Sequence, residues 1–173
     1  MGNGVNVLIK RMADISGVAD EGTLARLREK YEELYTNNPL RAVSIYPGIE
    51  DMLKRAKKRG IKLAVLSNKP DTMTKFIAKE LFSGIFDDVR GAKEGVPIKP
   101  DPGELLKIID SFSVDLKEVL YCGDSGVDMQ TGFNAGVDTA GVLWGFRDRE
   151  ELEDNKAKFI VSDSAELEHI LMG

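Results

Sequence analysis

The sequence predicts an α/β fold in which helices cover both faces of a parallel sheet. From Pro47 onward, helical segments alternate with short apolar runs. One of these runs, "IKLAVLSN" at 61–68, is almost continuously apolar before it turns polar, which is typical of a strand buried on both faces. Strands that alternate with helices indicate a parallel sheet covered on two sides. Ligands of such a sheet bind beyond the carboxyl ends of its strands.

Each predicted element after residue 47 has its own signal. Gly60 ends the first helix, because glycine suits the left-handed cap, and Pro70 lies just ahead of the second, where its missing N–H costs little. In chain order we expect a helix at 48–60, a strand at 61–68, a helix at 71–82, a strand near 86–92, a helix at 102–112, a strand at 118–123, a helix from about 127, a strand at 138–145, a short helix at 149–155, a strand at 158–163 and a helix at 165–172.

The first 46 residues are predicted to form a small helical unit separate from the α/β core at 47–173. The segment "DEGTLARLREKYEELYTNN" has apolar residues at spacings of three and four, and "GVNVLIKRMADISG" before it has a similar pattern. Two asparagines and Pro39 end the longer helix. No strand is predicted in this part of the chain.

Composition excludes several classes of function. At 173 residues and 42% hydrophobic the chain is large enough for a sizeable core. A net charge of -5 offers no general attraction for nucleic acid or for an anionic membrane, so neither is expected as a partner. No apolar run approaches the length of a membrane span. The single cysteine, Cys122, cannot form an internal disulfide, which favours a reducing, cytoplasmic location.

Polar side chains stand where the predicted strands end. Ser67 and Asn68 follow "KLAVL", and Asp124 follows "EVLYCG", with Asp128 four residues later. Lys99 lies between them in a proline-rich loop, "GVPIKPDP". All of these would meet at one rim of the sheet. A hydroxyl, an ammonium and two carboxylates can together hold a phosphate group and Mg²⁺, which prefers one or two protein carboxylates plus phosphate and water oxygens.

Each residue also has a simpler interpretation. Ser67 or Asn68 could cap the following helix, and Lys99 could be one of many solvated lysines. Asp124 and Ser125 could likewise cap the helix from about 127. The letters "GDSG" around Ser125 also surround the nucleophile of serine proteases, but that chemistry needs a positioned histidine. The only histidine is in the last predicted helix, so a protease is not expected.

Three motifs in series resemble haloacid dehalogenase superfamily hydrolases, most closely their phosphoglycolate phosphatase-like branch. These are "LAVLSNKP", "GVPIKPDP" and "EVLYCGDSGVDMQTGFNAGV", in this order and at similar spacing. The resemblance covers residues 2 to about 164, with residues 1–46 similar to part of a helical cap. It implies a Rossmann-like core and a phosphatase of small phosphorylated metabolites that uses Mg²⁺.

The resemblance also implies a role for each motif residue. Ser67 and the backbone of Asn68 would bind the transferring phosphoryl group. Lys99 would hold that phosphate and the charge of the nucleophile, as the catalytic cation. Asp124 would be a direct Mg²⁺ ligand, and Asp128 would either ligate the metal or orient its ligands. Ser125 is then expected to be a helix-capping and supporting residue.

One departure from the family pattern is large. The family's nucleophile is the first Asp of an Asp-x-Asp pair that ends a central strand, and this sequence contains no Asp-x-Asp. We therefore expect an N-terminally truncated core that lacks its first strand and does not turn over substrate, because a carboxylate must attack phosphorus. The alternative is a non-catalytic protein that binds a phosphorylated ligand or a protein partner. The missing strand should be replaced by one from another chain, or by direct pairing of 63–66 with 118–122.

Overall fold

The structure, a computed structural model, describes residues 20–37, 40 and 43–173, together with positions 9, 13–15 and 17. Helix α1, Glu21–Asn37, is the helix predicted there. The Asp20 carboxylate accepts a hydrogen bond from the Thr23 amide at 2.8 Å and so caps the first turn. The helical pattern predicted at 4–17 falls mostly outside the described residues. The division of the chain at residue 46 stays a prediction.

After residue 47, helices and strands alternate as predicted. The core consists of α2 (Ile49–Lys58), β1 (Ala64–Pro70), α3 (Asp71–Phe82), β2 (Asp88–Ala92), α4 (Gly103–Phe112), a 3₁₀ turn (Leu116–Glu118), β3 (Leu120–Gly123), α5 (Gly126–Ala135), β4 (Asp138–Val142), α6 (Arg149–Asp154), β5 (Phe159–Val161) and α7 (Ser164–Met172). Gly60 has the positive φ, 82°, that was expected after α2.

All strand pairs are parallel, but the strands form two pieces. β1 pairs with β2, and β3, β4 and β5 pair in that order. Ala64 lies opposite Asp88 in the first piece, and Leu120 lies opposite Asp138 in the second. Each strand is followed by a helix that returns over the sheet, which is the right arrangement for parallel pairing.

The facing edges of β1 and β3 are not hydrogen-bonded to each other or to another strand of the described residues. The expected direct pairing of 63–66 with 118–122 is therefore wrong. The expectation that β1 is fully buried is also wrong, because none of its residues is buried. Among the described strands β1 has one neighbour, so the backbone groups along its second edge have no strand partner there. Cys122 of β3 is exposed.

Helices cover both faces of the sheet, as a Rossmann-like α/β fold requires. Adjacent residues of a strand point to opposite faces, and Leu120 and Tyr121 of β3 belong to two different hydrophobic clusters. One cluster packs α2 and α7 against β4 and β5; the other packs α4 and α5 against Tyr121 and Leu66 of β1. Leu66 and Tyr121 thus reach one shared cluster from the two pieces of the sheet. No helix of the described ranges is long and apolar enough to cross a membrane.

Candidate functional site

Lys99 connects the carboxyl ends of β1 and β3. Its ammonium donates to Asp128 Oδ1 at 2.7 Å and to the carbonyl oxygen of Leu66 at 3.2 Å. Leu66 lies in β1, and Asp128 lies in the first turn of α5, directly after β3. The two strand ends therefore meet at one rim, where parallel sheets bind ligands. This convergence was predicted from the positions of polar residues after apolar runs.

The loop that carries Lys99 is held by Asn68. The Asn68 Oδ1 accepts from the Lys99 amide at 2.9 Å, and Asn68 Nδ2 donates to the Lys99 carbonyl at 3.1 Å. This reciprocal pair imitates a β-ladder contact and fixes the backbone of Lys99 against the end of β1. The side chain of Asn68 is thereby engaged in positioning Lys99.

Ser67 and Asn68 do not cap the following helix. The Ser67 hydroxyl accepts from the Lys69 amide at 3.1 Å, which tightens the turn at the end of β1. Helix α3 begins after Pro70 without a side-chain cap. The capping interpretation of these two residues is therefore wrong, and both lie at the rim beside Lys99.

Asp128 is buried and has a partner on each oxygen. Besides Lys99 on Oδ1, Asp128 Oδ2 accepts from the Ser125 hydroxyl at 2.6 Å. Asp128 is 6% exposed and Ser125 8%, so little water competes for these bonds. A carboxylate engaged in this way orients its neighbours more readily than it binds a metal ion directly. Of the two roles implied for Asp128, the geometry favours orientation.

Ser125 supports the site without capping α5. It occupies the cap position, but its side chain makes no capping bond to the helix and donates to Asp128 instead. The capping interpretation of Ser125 is therefore wrong, whereas its placement beside the site residues agrees with the structure.

Tyr121 is a site residue that sequence reasoning missed. Burial alone lowers the pKa of Lys99, but contact with Tyr121 and Asp128 outweighs burial and leaves the pKa of Lys99 raised. Burial raises the pKa of Tyr121 to about 12, although the Lys99 ammonium opposes the rise. At neutral pH the site thus holds a charged lysine and a neutral tyrosine. The letters "YCGD" contain Tyr121, yet only the fold brings it to Lys99.

Asp124 lies half-buried at the end of β3 and is held by a distant loop. Its Oδ2 accepts a hydrogen bond from the amide of Phe146 at 2.9 Å. Phe146 follows β4 in the chain, and no sequence pattern had connected the two positions. No hydrogen bond between Asp124 and Lys99, or between Asp124 and Ser67, is formed in the described part of the chain.

The donor chemistry at this rim suits Mg²⁺. Asp124 offers a carboxylate oxygen, the hard ligand that Mg²⁺ prefers, and this ion usually takes its other ligands from water and phosphate. The described residues contain no cluster of three or more histidine, cysteine or acidic side chains that could hold a metal ion by themselves. A site with one direct carboxylate, supported by Asp128, agrees with both facts.

Comparison with known proteins shows the family. Residues 1–142 match the haloacid dehalogenase-like hydrolases. The chain belongs to this family. The three motifs at Ser67, Lys99 and Asp124 that predicted the resemblance all lie within the matched range. The phosphoglycolate phosphatase-like branch predicted from them is confirmed by the relatives and structures that follow.

The chain is similar to curated members of the family along nearly all of its length. It is 28% identical over 174 residues to the phosphoglycolate phosphatase of Mannheimia succiniciproducens, covering 96% of this chain and 77% of that protein. It is 32% identical over 176 residues to the phosphoglycolate phosphatase of Rhodospirillum rubrum, covering 96% of this chain and 71% of that one.

Solved structures of the family share the fold. A crystal structure described as a predicted phosphoglycolate phosphatase from Haemophilus somnus superposes with a TM-score of 0.88 at 25% identity. The superposition covers 98% of this chain and 78% of that one. The Rossmann-like architecture expected from the alternating pattern is thereby confirmed.

Proposed function

We propose that the rim of β1 and β3 is the phosphate- and metal-handling part of a phosphatase site for small phosphomonoesters. The observation that carries the proposal is the buried Lys99 ammonium, which the structure holds between Leu66 of β1 and Asp128 after β3. Most lysines are solvated, so a lysine held at a strand-end rim with its side chain only 12% exposed is unusual and is a candidate for binding an anion. As a point charge it suits a phosphate dianion.

In this proposal each residue has a separate task. Lys99 stabilises negative charge that develops on the phosphoryl oxygens, which is the larger part of phosphoryl-transfer catalysis. The Ser67 hydroxyl and the Asn68 backbone bind the same group. Asp128 orients Lys99, and Asp124 would hold Mg²⁺. When bound, Mg²⁺ would neutralise charge on the phosphate and help to align it.

The proposed substrate class comes from the relatives. Both curated relatives described above are phosphoglycolate phosphatases, so a small phosphomonoester of the phosphoglycolate type is the substrate we propose. The cytoplasmic location favoured by the single cysteine belongs to the same proposal. We also propose that neither nucleic acid nor a membrane is a partner of this chain.

We further propose that the 173 residues bind phosphate but do not turn it over alone. Of the two carboxylates at the rim, Asp128 is engaged on both oxygens by Lys99 and Ser125, and Asp124 is the proposed metal ligand, so we assign neither as the nucleophile. Hydrolysis then needs a carboxylate from a strand inserted between the open edges of β1 and β3, either joined to this chain or exchanged with another chain. The second candidate function, binding of a phosphorylated ligand without catalysis, is favoured by the same observation.

Binding measurements test this proposal directly. Calorimetry with inorganic phosphate and with phosphoglycolate, each in the presence of Mg²⁺, should give binding that Lys99→Ala abolishes. Lys107→Ala controls for the loss of one positive charge, because Lys107 is a solvated lysine whose side chain is 64% exposed. Glycolate, which lacks the phosphate group, should not bind. Equal phosphate binding by the wild-type chain and Lys99→Ala would overturn the proposed role of this rim.

A further inference from the structure

The loop at 143–148, which follows β4, reaches back over the carboxyl end of β3. Trp144 packs against the cluster formed by α2, α7, β4 and β5, which anchors the start of the loop. Asp148 caps α6 by accepting from the Glu151 amide at 2.9 Å. Glu151 in turn accepts from the Gly126 amide at 3.0 Å, at the start of α5. The start of the loop is therefore anchored in the core, and its end is connected through Glu151 to α5, which carries Asp128.

The middle of this loop contacts Asp124. The Phe146 amide donates to Asp124 Oδ2 at 2.9 Å, as described above. A Cβ atom added to Gly145 would lie 2.2 Å from Asp124 Cβ and 2.5 Å from Asp124 Oδ2. Gly145 does not have the positive φ that favours glycine. Space beside Asp124, rather than backbone conformation, is thus the reason that position 145 needs glycine.

The side chain of Phe146 has no comparable structural role. It is 67% exposed, so its ring adds little to the core, and its amide provides the contact with Asp124. This amide holds Oδ2 of Asp124, whereas Oδ1 accepts no hydrogen bond from the described residues. Asp128 differs, since partners engage both of its oxygens.

We infer that Gly145 and the Phe146 amide form a clamp that positions Asp124 to offer a single oxygen to a divalent cation. One-oxygen coordination suits Mg²⁺, which demands near-ideal octahedral geometry. Neither residue touches the ion or the substrate; both act through Asp124. The inference rests on the proposed metal role of Asp124 and adds the residues that make this carboxylate a selective ligand.

Four variants separate the clamp from general effects on folding. Gly145→Ala fills the space beside Asp124, and Phe146→Pro removes the backbone N–H that donates to Asp124 Oδ2. Phe146→Ala is the control for the second change because it keeps the amide. Gly132→Ala is the control for the first, since its Cβ would lie 2.3 Å from Thr139 Cγ2, a similar clash in which no atom of Asp124 takes part.

The readout is Mg²⁺ affinity, followed by the fluorescence of Trp144, the only tryptophan of the chain. Gly145→Ala and Phe146→Pro should weaken Mg²⁺ binding by about 10–100-fold, the usual effect of losing a residue that orients a metal ligand. Phe146→Ala and Gly132→Ala should bind Mg²⁺ as the wild-type chain does. Wild-type affinity in both Gly145→Ala and Phe146→Pro would overturn the clamp.

Asp124→Ala distinguishes failure of the clamp from failure of the proposed function. If Asp124→Ala binds Mg²⁺ as the wild-type chain does, or if the wild-type chain binds none, the metal role of Asp124 fails. Hydrogen exchange of the Phe146 amide without metal then decides the clamp by itself. Exchange should be slow in the wild-type chain and faster in Asp124→Ala; equal exchange would overturn the clamp.

Discussion

Removing either partner of the Lys99–Asp128 ion pair should strongly destabilise the fold. The two side chains are 12% and 9% exposed, and their charged atoms lie 2.7 Å apart. In Asp128→Ala the Lys99 ammonium would stay largely buried without its carboxylate partner, keeping only its neutral neighbours, the Leu66 carbonyl at 3.2 Å and the side chain of Tyr121. Breaking a buried pair in this way costs about 3–5 kcal/mol, because the remaining charge is neither paired nor hydrated.

A double-mutant cycle measures the coupling free energy between the two side chains directly. Lys99→Met combined with Asp128→Ala removes both charges. The double variant should therefore lose less unfolding free energy than the sum of the two single variants, by about 2 kcal/mol or more. The assay is urea denaturation followed by the fluorescence of Trp144. In a chain of this length, 3–5 kcal/mol corresponds to a fall in Tm of roughly 10 °C.

The control is the Glu50–Lys54 pair on α2, whose side chains are 44% and 51% exposed. Its removal should cost about 0–1 kcal/mol, as for other solvated pairs. Strong coupling between the two charges is refuted if the effects of Lys99→Met and Asp128→Ala are additive within about 0.5 kcal/mol, the error expected for independent sites. It is also refuted if Asp128→Ala costs no more than the exposed pair.

Three further predictions concern the rest of the chain. Gly123→Ala should lower the free energy of unfolding by about 1–3 kcal/mol, since the new Cβ would lie 2.2 Å from Asp128 Cβ; a stability curve equal to wild type would contradict this. The hydrogen bond from the Gly91 amide, and after it the one from Lys75, lowers the pKa of Asp71. The ionised Asp71 therefore stabilises the fold fully above the ordinary aspartate pKa of about 4, and this stabilisation is lost as the pH falls below that value. Asp71→Asn should reduce the loss of stability at acid pH, and an unchanged pH dependence would refute the role of Asp71. Amides of α1 should exchange faster than those of β4 if residues 1–46 move as a cap, and equal rates would count against a mobile cap.

The sequence predicted the alternating fold because each element carried a local signal. Apolar runs located β1 and β3, and glycine and proline marked where helices end or begin. The rim was predictable for a topological reason: parallel strands place their carboxyl ends on one side, so polar residues after two strands must be neighbours. Lys99 and Asp128 were expected together on this ground, and their atoms are in contact.

The contacts that position the site were not predictable, because they depend on loops that meet only in the folded chain. Asn68 holds the backbone of Lys99 across 31 residues, and the Phe146 amide reaches Asp124 across 22. Neither interaction has a local sequence pattern. The burial of β1 was predicted wrongly because an apolar run shows only that a strand is suited to burial. How much of β1 is buried depends on its neighbours, and β1 has one paired strand among the described residues.

Turnover of phosphoglycolate with Mg²⁺ tests whether the rim of β1 and β3 needs a further carboxylate for catalysis. We expect no hydrolysis by the 173-residue chain, and hydrolysis by a version extended with an N-terminal strand that ends in Asp-x-Asp. In the extended version, Lys99→Ala should lower kcat by about 10²–10³-fold, the usual effect of losing a group that stabilises developing charge, while Lys107→Ala should not. Hydrolysis by the 173-residue chain that disappears in Lys99→Ala would contradict this expectation and require a different nucleophile.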